Sequence, residues 1–501
     1  MPNAGLLELV AHGVQDAYLI GNPQISFFRK VHKRHTNFVM QSISGTFEGQ
    51  QNFGQRLVCK VPRNGDLLQG VVLEIDLPEL TSNAPSADTT HQPKYVDNLG
   101  EAIIDYVELR IGGQRIDRQY GEWMHIWNEL TLTSGRKTGY DRMVRATGVN
   151  GPLTVYIPLQ FWFCRNIASA LPLVALQYHE VELAIQLNSL AKLYKFGETH
   201  YYDLKEGSDQ PSEGAVGNDT KRFIINNKKG KEFGDNDAFV NGGVPKKVYQ
   251  SLNGSGIEID GKGSSDGTGS PYISTAQDLT ISTTRVYIKP NYTLTATPKI
   301  SSMRIFYDFI FLDTYERKWF AQNEHKYIID ELQFQDSTGI NKLDTSKKIE
   351  LNFNLPVKEL YWVMQSEENV THNNVIDFKS TPDANYEAAT ELINNFTIHY
   401  NGIERFEARG GEYFRLVLPY QKHTNVPFAK YIYCYPFSHN PEIYQPMGAS
   451  NFSKIDTVDM IFNFNQSTMA LNTGNYKIRV YGLSYNVLVI TKGMGGKRFA
   501  N

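Results

Sequence analysis

A stretch of twelve residues occurs twice in this 501-residue chain, and no other feature narrows the possible folds so far. Gly112, Gln114, Arg115, Ile116, Asp117, Gly121, Glu122 and Trp123 return as Gly402, Glu404, Arg405, Phe406, Glu407, Gly411, Glu412 and Tyr413, at a constant offset of 290. The same offset lays His35, Phe38 and Val39 on His325, Ile328 and Ile329, where each copy is expected to begin its first strand. Two landmarks follow in order. Leu153, Val155, Ile157 and Pro158 resemble Leu416, Leu418 and Pro419, and the run Met303 to Phe306 resembles Ile478 to Tyr481. Each copy is far longer than the roughly 20–50 residues of a solenoid repeat, so the duplicated unit is a whole domain.

The material of each copy is short alternating or aromatic-rich runs, such as Thr154 to Leu159, Ile305 to Leu312 and Lys477 to Tyr485, punctuated by Gly, Pro, Asn and Asp. Such runs read as strands at the spacing of a sandwich or barrel. Helix is expected only over Leu6 to Leu19, Trp123 to Leu132 and Thr314 to Gln322, the last capped by Thr314 or Asp313. Between its Pro and its final strand the first copy carries 86 residues more than the second. That excess falls on Gly197 to Thr280, rich in Gly, Asp, Asn, Ser and Lys, which buries little apolar surface and is expected on the outside of the domain, either as a long loop with a few strands of its own or partly disordered.

Charge narrows the function. Lys plus Arg number 50 and Asp plus Glu 53, a formal net charge of −3, without the basic excess of a dedicated nucleic-acid binder. Cys59, Cys164 and Cys434 lie too far apart for a CxxC metal pattern or a disulfide framework, which fits a reducing compartment. No run reaches the roughly 18 apolar residues of a membrane span, and Glu8 and Asp16 stand where a signal peptide needs a basic start.

No motif carries convincing catalytic or metal chemistry. Gly261 to Gly269 lacks the strand and helix that aim backbone amides at a phosphate. His32 and His35 could share a metal but have no third ligand, so Arg29 to His35 reads as a solvated basic face. Gly448-Ala449-Ser450-Asn451 lacks the second Gly of a nucleophile elbow. Glu108, Glu122 and Glu412 are the carboxylates to consider for glycoside hydrolysis, yet Glu122 and Glu412 repeat between copies, which suits a shared structural task such as capping a short helix. Trp162, Phe163 and Cys164 read as packing residues. Catalytic, cofactor and metal residues are therefore none; glycosylation candidates are the sequons at Asn218, Asn253, Asn291, Asn369 and Asn395, with Asn451 and Asn465 beside them.

Longer motifs carry a resemblance. Asp16, Tyr18, Leu19, Gly21 to Phe28 and Thr36 to Phe38 open a series continued by Arg63 to Leu67, Ile111 to Gly113, Ile157 to Leu159, Phe161 to Asn166 and Leu171 to Val181. Phe309, Leu312 to Thr314, Glu316, Arg317, Phe320 to Gln322, Gly448 to Asp456 and Tyr485 to Leu488 complete it. The series resembles the major capsid proteins of nucleocytoplasmic large DNA viruses over the whole chain, with Lys454 and Met447 as modest departures. The resemblance implies an all-β double jelly roll: two tandem eight-stranded jelly rolls with small helices and a long loop insertion in the first. The expected divisions are an N-terminal arm over 1–26, the first roll over 27–312 with its insertion near 197–280, a helical connector over 313–325, the second roll over 326–492 and a tail over 493–501.

It further implies a non-enzymatic structural subunit without cofactors, a homotrimer forming a pseudo-hexameric capsomer in an icosahedral virion capsid. Neighbouring capsomers, minor capsid and penton proteins and, indirectly, an internal viral membrane are its expected partners, with no direct nucleic-acid contact and assembly in the host cytoplasm. A glycan-processing or glycan-binding double jelly roll is the alternative.

Overall fold

The computed structural model describes residues 9–11, 13–16, 20, 22–23, 34–84, 86, 92–196, 200–206, 221–226, 247–249, 257–263, 272–275, 285–289, 292–371, 373–379, 391–469 and 474–499. Residues 1–39 and 40–501 form two compact units. The first contains a short 3-10 turn, Val14–Asp16, and exposed Leu9, Val10 and Val14. Leu6, His32 and the run Arg29 to Lys33 lie outside the described residues.

Along the chain come β1 (Phe38–Gly45), β2 (Arg56–Lys60), β3 (Leu67–Leu77), β4 (Pro93–Tyr95), β5 (Ile104–Ile111), β6 (Gln114–Tyr120), β7 (Leu153–Pro158), β8 (Leu171–Pro172), β9 (Val181–Leu187) and β10 (Tyr194–Phe196). The inserted strands are β11 (His200–Glu206), β12 (Lys221–Asn226), β13 (Lys247–Tyr249), β14 (Ile257–Gly263), β15 (Tyr272–Thr275) and β16 (Arg285–Lys289); β17 (Ser302–Leu312) then closes the first roll. The second roll contains β18 (His325–Ile340), β19 (Ser346–Glu350), β20 (Pro356–Ser366), β21 (Ile393–Tyr400), β22 (Ile403–Glu404), β23 (Tyr433–Pro436), β24 (Ser450–Asn451), β25 (Val458–Phe464), β26 (Tyr476–Thr491) and β27 (Met494–Lys497).

The two rolls have one topology. In the first, β1-β17-β3-β7 faces β2-β9-β5-β6; in the second, β18-β26-β20-β23 faces β19-β25-β21-β22. Even the two-residue strands correspond, because β8 pairs β3 at Leu67 and Leu68 as β24 pairs β20 at Pro356 and Val357. Alternation drives each sandwich: Leu153, Val155 and Ile157 of β7 are buried while Thr154, Tyr156 and Pro158 are not. One continuous apolar core runs through both rolls, from Leu57 and Tyr307 to Trp362 and Ile490.

The repeated motif is a hairpin followed by a helix. Gly112 and Gly113, at φ 56° and 81°, turn β5 into β6, and Asn401 and Gly402, at φ 50° and 80°, turn β21 into β22. Two successive positive φ values are what a two-residue hairpin turn of this hand requires. The turns are therefore offset by 289, whereas the helices that begin at Gly121 and Gly411 are offset by 290, so the second copy holds one more residue between turn and helix. Both helix-start glycines are needed for close approach. A Cβ on Gly121 would lie 2.4 Å from the Ile104 carbonyl oxygen, and one on Gly411 would lie 2.7 Å from that of Ile393.

Several expectations change. Leu416, Leu418 and Pro419 lie in the helical turns Tyr413–Val417 and Leu418–Lys422, not in a strand; the counterpart of β7 is β23, paired with Glu359 to Trp362. Placed by that strand, the size of the first roll's excess no longer follows from Pro419. Of the two forms expected for the excess, the strand-bearing one is seen, but its strands are organised: β11, β12, β15, β14, β13 and β16 close into a small barrel reaching Lys289, past Thr280. Segments such as Lys221–Asn226 and Arg285–Lys289 are strand-formers whose signal the surrounding Gly and Asp obscure. The barrel's two ends meet, with the Phe196 and Tyr292 ring centroids 6.5 Å apart. The segment expected as a tail supplies β27, which pairs with β26 from Leu488 to Thr491.

Helix α1 (Gly121–Thr131) is buried over most of its length, and α2 (Ser134–Val144), not expected from the sequence, lies beside it in the chain. α2 satisfies polar groups that α1 buries: the Tyr140 hydroxyl accepts from Asn128 and donates to Glu101, and Lys137 pairs with Glu129. Helix α3 (Thr314–Gln322) is capped by Asp313, whose carboxylate accepts from the Thr314 amide at 2.7 Å.

Candidate assembly surfaces

The seam between the rolls is built from β6 and α1 of the first against β18, β20 and β26 of the second. The backbone amide of Leu332 donates to Asp117 Oδ1 at 3.0 Å, and burial pushes the Asp117 carboxyl up to about 6. Glu122 accepts from Arg479 at 2.5 Å and from the Tyr481 hydroxyl at 2.9 Å. Trp123 stands edge-on to Tyr361 with centroids 5.0 Å apart and tilts against Tyr481 at 5.7 Å. Tyr120 packs on Phe334 at 4.6 Å. Lower in the seam, Arg165 lies over Trp127 and donates to Asp330, which also receives the buried Lys358 ammonium at 3.0 Å. Burial alone would raise the Asp330 carboxyl, but the Lys358 and Arg165 cations hold it below the usual aspartate range.

Glu122 is thus no helix cap: Tyr120 occupies that position without a side-chain bond, and the glutamate is a rivet between rolls. Its repeat partner Glu412 is exposed. Glu108 is buried among arginines, taking Arg110 at 2.5 Å and also Arg118, with Arg56 and Arg115 within 4.0 Å. Desolvation works to raise its carboxyl, yet those guanidinium bonds keep it lowered and ionised. Glu108 is thus held by arginines and Glu122 by Arg479 and Tyr481, which commits both carboxylates to structural bonds, while Glu412 stands exposed.

The remaining candidates fall into the scaffold. Gly261 and Gly263 belong to β14, paired with β15 across an irregularity, and 264–269 lie outside the described residues. His35 bonds the Thr36 carbonyl at 2.6 Å. Ser450 bonds the Tyr400 hydroxyl at 3.0 Å. Burial pushes the Cys164 thiol up to about 12, leaving it a packing group. Asn218, Asn253 and Asn291 lie outside the described residues. Asn369 is fully buried and its amide donates to the Asp377 carbonyl at 2.8 Å, which leaves no room for a glycan in the folded chain. The Asn395 side-chain Oδ1 accepts from the Asn463 amide at 2.5 Å, Asn451 caps a turn through Ser453 and Asn465 accepts from Ser467.

Sequence reading missed a second buried cluster. His423 is bracketed by Glu359 at 2.9 Å and Glu442 at 3.1 Å, with Cys434 beside it. Burial alone would lower the imidazole, but the Glu359 carboxylate holds it well above its ordinary value, so it is an imidazolium. Burial also pushes Cys434 up to about 12, a thiol rather than a thiolate. The group works as an internal ion triad joining β20 to the loops on either side of β23. A raised histidine contributes fully below the ordinary value of 6.5 and ceases to contribute as pH climbs through the raised one. The stability gap between the wild type and His423→Gln should therefore be full below the ordinary histidine value and shrink as the solution becomes alkaline in urea unfolding. A gap that grows with pH would contradict the triad.

Among the described residues, large apolar side chains also stand in solvent. Tyr315 and Trp319, one turn apart on α3, are 80% and 51% exposed, while Phe320 of the same helix packs inward on Leu67, Ala170 and Ile310. Tyr178, Tyr420 and Phe428 are exposed elsewhere. Tyr315 and Trp319 share one face of α3 and form a small aromatic patch suited to a contact, whereas singly exposed apolar side chains are ordinary on a protein surface. No helix among the described residues is long and apolar enough to cross a membrane.

Residues 26–210 match the family model for the major capsid protein N-terminus, and residues 316–496 match that for the large eukaryotic DNA virus major capsid protein. The chain is 34% identical to the major capsid protein of Pyramimonas orientalis virus and 32% identical to that of Phaeocystis pouchetii virus, covering 99% of both partners in each case. A quasi-atomic model of the PBCV-1 virus capsid superimposes with a TM-score of 0.63 at 26% identity, over 95% of this chain and all of the other. The Faustovirus major capsid protein shares the fold at a TM-score of 0.62 and 12% identity, over 96% of this chain and 94% of the other. With twin jelly rolls riveted along a buried seam and both family models matched in order, the chain belongs to the major capsid proteins of large eukaryotic DNA viruses.

Proposed function

We propose that the protein works as a homotrimer whose six jelly rolls give a capsomer of near-sixfold outline, and that these capsomers tile an icosahedral shell. The observation that supports this is the identity of strand order in the two rolls of one chain. A face of one roll and a different face of the next form a head-to-tail contact, and such contacts close into a ring when the rotation allows. Three chains of two rolls then supply six similar lobes. Lateral capsomer contacts complete the shell, with minor capsid and penton proteins at its joints. Residues 1–26 form an inward arm toward those proteins and an internal membrane, the genome is not touched directly, and assembly takes place in the host cytoplasm.

The glycan-processing alternative has no support in the carboxylates. Glu108 is committed to arginines and Glu122 to the seam. Light scattering of the purified protein tests the proposal: a mass near 171 kDa, three times the 56.9 kDa chain, is expected, with hexagonal outlines in electron micrographs. A monomer at micromolar concentration would overturn it.

A further inference from the structure

The two rolls are alike in topology but unlike in what covers them. In the first roll, β6 and α1 are sealed by the second roll: Ile116, Asp117, Gln119, Glu122 and Trp123 are buried. The corresponding edge of the second roll is open, with Glu404, Arg405, Glu407, Arg409 and Glu412 exposed and Tyr413 half-buried. The opposite faces show the complementary asymmetry. On the outer face of the second roll, Tyr361 and Tyr481 are cross-strand partners, both buried under Trp123. On the first roll the corresponding partners are Val72 and Phe306, both half-buried. Two places earlier than Tyr481 on β26 stands Arg479, which holds Glu122; two places earlier than Phe306 on β17 stands Arg304, 54% exposed.

The correspondence does not depend on sequence alignment alone. The pairing of β3 with β8 and of β20 with β24 sets Leu67 on Pro356, and the ladders to β17 and β26 then set Phe306 on Tyr481 and Arg304 on Arg479. Gly121 and Gly411, each against the first carbonyl of its neighbouring strand, set Glu122 on Glu412 and Trp123 on Tyr413. One chain therefore carries a used socket and plug in its seam, together with an unused plug on the second roll and an unused socket on the first.

We propose that Glu412 and Tyr413 of one copy dock on Arg304 and Phe306 of a second copy, repeating between chains the contact that Glu122 and Trp123 make with Arg479 and Tyr481 inside one. This rests on the trimer reading above and names the contact that closes it. The occupant is a second copy because the chain already shows this face of one roll seated on this face of another. Arg304 meets Glu74 and Asp76 in the single chain, so the arriving Glu412 joins a small charged network and does not meet a bare cation. Tyr413 is smaller than Trp123, and Phe306 lacks the hydroxyl that Tyr481 gives to Glu122. The contact between chains is accordingly the weaker version of the seam, with fewer hydrogen bonds and more dependence on salt.

The test uses the full-length chain and light scattering. Wild type must first show the trimer; a monomeric wild type defeats the trimer reading itself. Given that trimer, Glu412→Arg and Arg304→Glu are each expected to shift the mass from about 171 kDa to that of the 56.9 kDa chain at equal concentration, and the double reversal to bring the trimer back. Single variants that remain trimers as resistant to dilution and salt as wild type would overturn the contact while leaving the trimer standing. Circular dichroism checks folding, because Arg304→Glu faces Glu74 and Asp76. Should that variant unfold, Glu412→Cys with Arg304→Cys keeps the question open to measurement. A short thiol-specific cross-linker should then yield dimer and trimer bands absent from wild type, and a lone monomer band would refute the proposal.

Discussion

Replacing Asp330 by Ala is expected to lower the unfolding free energy by about 3–5 kcal/mol, the usual result of removing one partner from a buried ion pair. The carboxylate takes two cations at once, the Lys358 ammonium at 3.0 Å and the Arg165 guanidinium at 3.0 Å. Lys358 is 1% exposed, so without Asp330 its charge loses its hydrogen-bonded counter-ion and is left, away from water, with the field of Glu359 and the face of the Tyr485 ring. The loss should ease as the solution becomes alkaline, because an uncompensated buried lysine can shed its proton. Urea titration at neutral pH and at about pH 10 reads both effects. A variant within about 0.5 kcal/mol of wild type would mean that the seam does not depend on this ion cluster.

Trp123→Ala is expected to cost about 3–5 kcal/mol, the range for deleting a large buried aromatic. The indole is 2% exposed and touches Trp127 in its own helix as well as Tyr361 and Tyr481 across the seam. The void would therefore open between rolls, where it also loosens the Glu122 to Arg479 bond. Differential scanning calorimetry should show a lower midpoint and, if the rolls part, a transition broadened by loss of cooperativity. A single sharp transition at the wild-type temperature would show that the rolls are held by other means.

The duplication was legible because its signals are local. A turn with two positive φ angles, a glycine forced by a carbonyl 2.4 Å or 2.7 Å from where its Cβ would stand, and strand alternation are all written within about ten residues. Tertiary roles were not. Glu122 and Glu412 share a motif, yet one is buried in the seam and the other exposed, because a neighbouring roll covers only the first. Lys358, between Val357 and Glu359 in a strand, reads as a solvent-facing charge, and only the fold brings Asp330 to it. Helix α2 escaped notice because Gly135 and Gly139 interrupt it and only Tyr140 and Val144 are buried, too few for an apolar stripe. The inserted barrel escaped because its strands are three to seven residues long and set in Gly- and Asp-rich sequence.

That barrel departs after Phe196 and returns before Tyr292, and the two rings touch. Its endpoints are thus clasped by the host roll, so the entropy of bringing them together is met by the scaffold and lengthening the excursion adds only logarithmically to it. Natural selection can exchange this cassette for another of different size without renegotiating the sandwich beneath, and a protein engineer can graft a foreign domain there for the same reason.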